Sequence, residues 1–167
     1  IMSATYTAEF TSIKNANYKI EIKTEKGSGT HTLMLSGEPF STKMDSEGKN
    51  IYSPLKTTSA TVGIMTKSLE SNIYSGKAKG TSVKFTNTDT NKVEFVGYVT
   101  PCKYDQDWNE ELEEVEIECV DGIAVLKSIP YPVTGSVETF ANIIFNCLKQ
   151  SGCFKRLYVT DNVQLTV

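Results

Sequence analysis

From Thr5 to Val120 the chain is written largely in period two. Tyr6, Ala8 and Phe10 alternate with Thr5, Thr7 and Glu9, and Tyr18, Ile20 and Ile22 alternate with Lys19, Glu21 and Lys23. The cleanest run is Glu113–Cys119, where Val115, Ile117 and Cys119 alternate with Glu114, Glu116 and Glu118. Successive side chains of a strand point to opposite faces, so each run sends its apolar set to a core and its charges to water. The same alternation marks Thr30–Ser36, Thr58–Thr66, Ser82–Thr86 and Lys92–Thr100. Gly27–Ser28–Gly29 and the Asn87–Asn91 stretch read as hairpin turns, because glycine and asparagine supply the positive φ a tight turn needs. Gly37–Glu38–Pro39 and Pro101 read as strand ends. About eight short strands joined by such turns predict a mainly β chain, an antiparallel β-barrel or split barrel. The expected core is Tyr18 or Ile20 with Leu33, Val62, Ile64, Phe85, Val93, Phe95, Val115 and Ile117.

Two stretches break the pattern. Residues 41–56, with Met44, Ile51, Tyr52 and Leu55, read as an irregular loop long enough to suspect a role for it. An apolar loop in water calls for a partner, so Met44, Ile51, Tyr52 and Leu55, with Trp108, are the interface candidates. After Asp121 the period changes. Ile123, Leu126 and Lys127 suggest a short helix ended by Pro130. Ser136 is placed to cap a second helix that carries Val137, Phe140, Ala141, Ile144, Phe145 and Leu148, with Gly152 as its C′ residue. Leu157–Val159 and Gln164–Val167 return to strand. Residues 1–130 therefore read as one β-barrel domain. Residues 131–167 read as a short α/β segment that begins a second, incomplete subdomain.

The charge balance narrows the function classes. Lys and Arg number 17 and Asp and Glu 20, a formal charge of −3 with a pI near 5.3. A nucleic-acid module is expected to carry a basic surplus on one face, so nucleic-acid binding is not expected. No apolar run approaches the ~20 residues a membrane helix needs. The start, Ile1–Met2–Ser3–Ala4, leads straight into a strand, so Met2 reads as the natural start with no leader. The cysteines, Cys102, Cys119, Cys147 and Cys153, contain no C-x2-C pair and are absent from the first hundred residues, and read as reduced, mostly buried thiols.

Catalytic constellations are weak. His31 is the single histidine, which removes HExxH zinc sites, and its strand context reads as a surface position. Asp105, Asp107, Asn109 and Glu116 fall at positions 1, 3, 5 and 12 of an EF-hand-like loop. Position six is Glu110, where that loop needs glycine, so an acidic solvated hairpin is the plainer reading. Gly76–Lys77 lacks the earlier glycine and the following Ser or Thr of a phosphate loop, with Ser71 and Ala78 in those places. No G-x-S-x-G elbow presents a nucleophile. The glutamates of 110–118 read as a solvated face or edge protection, or else as a wall facing a channel or a partner's lysines. No metal, no cofactor and no enzymatic activity are expected. A hydrolase using two carboxylates of the acidic stretch is the least favoured class.

A series of sequence words carries a resemblance. These are Tyr6–Thr7–Ala8–Glu9–Phe10–Thr11–Ser12–Ile13–Lys14, Leu35–Ser36–Gly37–Glu38–Pro39–Phe40, Met44–Asp45–Ser46 and Ile51–Tyr52–Ser53–Pro54. Further on come Ile73–Tyr74–Ser75–Gly76–Lys77–Ala78, Phe95–Val96–Gly97–Tyr98–Val99–Thr100–Pro101, Glu116–Ile117–Glu118–Cys119–Val120–Asp121–Gly122 and Tyr158–Val159–Thr160–Asp161–Asn162–Val163–Gln164–Leu165. Together the chain resembles the N-terminal region of large tail proteins from phages and prophages of gut Bacteroidetes, similar to the baseplate hub or tail-associated proteins of long-tailed phages. The resemblance implies a barrel related to tail-tube proteins and a role in virion structure, with assembly in the bacterial cytoplasm. It also implies contacts with tail-tube and distal tail proteins and a homo-oligomer, a trimer around the tail channel, when the protein is full length. It brings no catalytic residue. The competing class is a β-sandwich carbohydrate-binding or adhesion module, with Trp108, Tyr104 and Tyr98 as an aromatic platform.

Overall fold

The computed structural model describes residues 3–45, 56–67, 71–101, 112–132, 135 and 137–152. Eight strands form: β1 (Ala4–Thr11), β2 (Asn17–Thr24), β3 (Gly29–Thr32), β4 (Met34–Asp45), β5 (Thr57–Thr66), β6 (Thr81–Asn87), β7 (Lys92–Val99) and β8 (Glu113–Asp121). A short helix α1 (Gly122–Val125), a 3-10 turn at Leu126–Ser128 and a longer helix α2 (Phe140–Ser151) follow. The strands make one sheet in the order β3-β1-β2-β6-β7-β8-β5-β4. The chain is mainly β, as the period-two pattern predicts.

The sheet is mixed, which corrects the all-antiparallel expectation. β2 pairs with β1 and β6, and β3 lies on the far side of β1, parallel to it, from Ala4↔Gly29 to Thr7↔Thr32. Gly27 and Gly29 both have positive φ, 79° and 86°, but the turn they make carries the chain around the start of β1 instead of back along β2. Ala4 consequently sits between Thr24 on one side and Gly29 on the other.

The end strands of the sheet, β3 and β4, are consecutive pieces of one run of chain. They are joined at Leu33, whose N–H donates to the Thr7 carbonyl at 2.9 Å. One piece pairs with β1 and the next with β5, so the sheet closes on itself at Leu33. Beyond that point β1 and β4 part, and Ala8–Thr11 pair with β2 alone among the described residues. The sheet is open along this seam.

Its core follows the alternation. Ile20, Ile22, Val62, Ile73, Val83 and Ile117 are fully buried, with Tyr6, Ile64, Phe85, Phe95, Val115 and Cys119 around them. Leu33 and Tyr18 pack against this cluster partly buried. The Phe85 ring stacks with Phe40 at 3.9 Å, with Tyr18 at 4.9 Å and with Phe10 at 6.1 Å, which ties β4 to β1, β2 and β6 across the interior.

Two irregularities displace expected positions. Val93, expected in the core, is exposed. Phe85 pairs with Phe95 and Thr86 with Val93, so Glu94 is an extra residue in β7, and Val93 faces outward opposite Thr86. In β4, Leu35 pairs with Ile64 and Phe40 with Val62, so the strand bulges over 36–39 and continues, where Gly37–Glu38–Pro39 reads in sequence as its end. Gly63 permits the bulge: a Cβ there would lie 2.2 Å from Ser36 Oγ and 2.5 Å from the Glu38 carbonyl oxygen. Residues 41–45, expected in a loop, belong to β4. β8 pairs with β5 from Glu113 to Val120 and with β7 only from Cys119 to Asp121, so among the described residues Glu113, Glu114 and Glu116 have a strand partner on the β5 side alone.

α2 begins at its N-cap Thr139, whose hydroxyl accepts from the Asn142 N–H at 3.3 Å, in place of the expected cap Ser136. Gly152 ends the helix in the left-handed conformation, as expected. The helix packs on α1 and the 3-10 turn, and Lys79 donates its ammonium to the Gln150 carbonyl. No helix among the described residues is long and apolar enough to cross a membrane.

Candidate interaction surface

The surface is organised by the point where β8 stops. Asp121 Oδ1 accepts from the Ala124 N–H at 2.8 Å and caps α1, while Oδ2 accepts from the Thr58 N–H at 2.6 Å. A carboxylate at a helix N-cap satisfies an otherwise orphaned donor, and here it also holds the start of β5. Because the chain turns into α1 at this point, the β7·β8 ladder spans only Gly97–Val99. A cleft of about 540 Å3 opens beyond it, lined by Met44, Thr58, Val93, Phe95, Val96 and Ile123, with Glu94 and Asp121 at its polar edge. Met44 is 64% exposed, Val93 42% and Val96 37%. Glu94 is held outward by Lys92 at 3.0 Å.

The opposite face of the same strands is polar. A cleft of about 490 Å3 is lined by Ser41, Lys43, Ser59, Thr61, Thr100 and Glu118. Glu114, Glu116 and Glu118 are all exposed on β8, opposite Met65, Gly63 and Thr61 of β5. α2 adds further apolar surface: Phe140, Ile144 and Phe145 are exposed while Ser151 is buried.

Of the sequence candidates, Met44 stands at the apolar cleft. Ile51, Tyr52, Leu55 and Trp108 lie outside the described residues, as do Tyr104 and the Asp105–Glu110 part of the EF-hand-like stretch. Val96 and Ile123 join Met44 at the cleft without having been singled out. Their sequence signal was present in Val96, an apolar residue at an outward position of an alternating strand. Val93 carried none, because its exposure depends on the extra residue Glu94.

Two cysteines and the histidine lie among the described residues. Cys119 is buried, and burial followed by the Glu118 charge pushes its thiol up to about 12, so it stays protonated and unreactive. Cys147 is half-buried, and neither of these two thiols is in a disulfide. His31 is on β3, stacked on Tyr6 at 5.0 Å, with its Nε2 3.0 Å from the Ser28 carbonyl oxygen. Among the described residues no three His, Cys, Asp or Glu side chains come together as a metal site. What the arrangement offers is contact: an apolar cleft, a hydroxyl-lined cleft and an acidic face. Comparison with family models, with curated proteins and with solved structures finds no match for the chain.

Proposed function

We propose that the chain is a structural domain of a phage tail, the N-terminal domain of a baseplate hub or tail-tip protein that assembles around the tail channel. The observation that carries this reading is the apolar cleft around Met44, Val93 and Val96. These side chains stand in water in the isolated domain and lose that exposure when a neighbouring subunit covers them. The sequence words that resemble tail proteins suggest the class, and the eight-stranded sheet is the scaffold on which the cleft is presented. Tail-tube and distal tail proteins are the partners this reading names, and the virion tail is its location. In the full-length protein three copies close around the channel, each placing one patch against a different patch on the next. Binding rests on buried surface and involves no covalent chemistry.

Sedimentation of the full-length protein tests the reading. A trimer is expected, and Met44→Asp with Val93→Asp is expected to open it without lowering the melting temperature, since neither side chain belongs to the core. A strict monomer at tens of micromolar would overturn the ring.

A second reading, a carbohydrate-binding or adhesion module, is favoured by the cleft lined by Ser41, Ser59, Thr61 and Thr100 between Lys43 and Glu118. Hydroxyl and charged groups on a concave wall suit a polyhydroxylated ligand. Retention on a panel of immobilised gut glycans, lost in Thr61→Val, would favour this reading over the first.

A further inference from the structure

Among the described residues the outer edge of β4 from Phe40 to Asp45 has no strand partner, and the residues along it are self-complementary. β4 pairs with β5 from Phe40↔Val62 to Asp45↔Thr57, and no other strand among the described residues lies on its outer side. Which groups face out follows from the neighbouring bonds. The Thr58 N–H is directed to Asp121 on the β8 side, so Ser59 and Thr61 direct their main-chain groups to β4, where they meet Lys43 and Ser41. Phe40, Thr42 and Met44 therefore point their N–H and C=O groups out of the sheet, and none has a backbone partner among the described residues.

We propose that this edge pairs with the β4 edge of a second copy, antiparallel and about a two-fold axis at Thr42. The occupant is argued from the register. Centring on Thr42 sets Thr42 against Thr42, Phe40 against Met44, and Met44 against Phe40 of the other copy. All three are pairs in which both residues face each other and exchange two N–H···O=C bonds. On the inner face each exposed Met44 gains an aromatic neighbour at the rim of the apolar cleft. On the outer face Lys43 meets Ser41, so the charges of the two copies never oppose. An unpaired edge of this length is a pairing template, and Lys43 is its one charged guard between Phe40 and Met44. The contact is isologous and closes at two copies. It does not rest on the tail reading, although it shares Met44 with the cleft of that ring contact; Thr42→Pro, which leaves Met44 and Val93 in place, separates the two.

The contact area of one strand pair is small, so the dimer is expected to be weak, with dissociation in the high-micromolar range. Sedimentation velocity over a concentration series of this 167-residue chain tests it. The wild type is expected to show a monomer–dimer equilibrium. Thr42→Pro removes only an outward N–H, because the β5 ladder is made by Ser41 and Lys43, and is expected to abolish the dimer with the melting temperature retained. Ser41→Lys sets one lysine of each copy against Lys43 of the other and is expected to weaken the dimer about tenfold. Adding Lys43→Glu to that variant makes opposite-charge pairs and is expected to restore it. A wild type that stays monomeric to a millimolar, or a dimer indifferent to both Thr42→Pro and Ser41→Lys, overturns the proposal. A monomer–trimer equilibrium indifferent to Thr42→Pro overturns it too, while leaving the tail-assembly reading intact.

Discussion

Phe95 and Val93 stand two residues apart on one strand and have opposite fates. Plain alternation puts both in the core. Glu94 is the extra residue, and it turns Val93 to water while Phe95 stays 7% exposed against Phe40. Phe95→Ala is expected to cost ~3–5 kcal/mol, the range for removing a buried aromatic side chain. Val93→Lys is expected to change stability by no more than ~0.5 kcal/mol, as for a surface substitution. Equilibrium denaturation of the two variants checks this. Equal losses in both would mean that β7 alternates without a bulge. This pair also marks a limit of sequence reading. Phe95, Ile20, Val62 and Ile117 were legible as core because alternation alone decides their side. Val93 was not, because a bulge is set by how the partner strand β6 registers.

At the scale of elements, the turns show how strands are held in register. The β6–β7 hairpin turns at Asn91, which has a φ of 54°, and its tip reaches across to β2. Asp89 accepts from the Asn17 N–H and from Asn17 Nδ2, both at 2.8 Å. These bonds, backbone first, hold the Asp89 carboxyl below its ordinary pKa. A carboxylate whose folded pKa is depressed contributes its stabilisation above the unfolded pKa, and that contribution is lost as pH falls through the folded one. The melting temperature of Asp89→Ala is therefore expected to lie below that of the wild type at neutral pH, with the gap closing in acid. A gap that stays constant from neutral pH to below the carboxylate range would show that the side chain's charge has no part in the tie. The hairpin itself was legible in Asn87–Asn91. The bond to Asn17 joins residues 72 positions apart, and no local pattern announces such a pairing. The same holds for α2, whose apolar spacing and Gly152 were readable while the cap moved from Ser136 to Thr139. Ser and Thr are both good caps, so residue type alone does not choose between them.

For the whole molecule, the seam between β1 and β4 is the defining feature. Leu33 closes the sheet at one point, and the edges part from there. Since Thr7 directs its carbonyl to Leu33, the alternate residues Glu9 and Thr11 direct their N–H groups into the seam, while Ala8 and Phe10 direct theirs to β2. Amide hydrogen exchange is expected to be about 100-fold faster or more at Glu9 than at Ala8. Comparable protection at both would mean that the barrel is closed along its length. The candidate surface lies at the same level of organisation. Met44 was legible as an exposed apolar residue, but its neighbours Val93, Val96 and Ile123 come from strands and a helix more than forty residues away in sequence.

The sequence by itself determined that this chain builds a β core, which side chains of β1, β2, β5, β6 and β8 enter it, and that helical spacing takes over after Asp121. Those choices are local: a period of two, a turn residue, a change to helical spacing. Only the tertiary structure decided that β3 lies parallel to β1, that β4 runs on through a proline, that β8 lies between β7 and β5 and that the sheet stays open between β1 and β4. The physical reason is that main-chain hydrogen bonding is the same for every residue. A strand's sequence states which face is apolar, and the partner it pairs with is chosen by the packing of the whole.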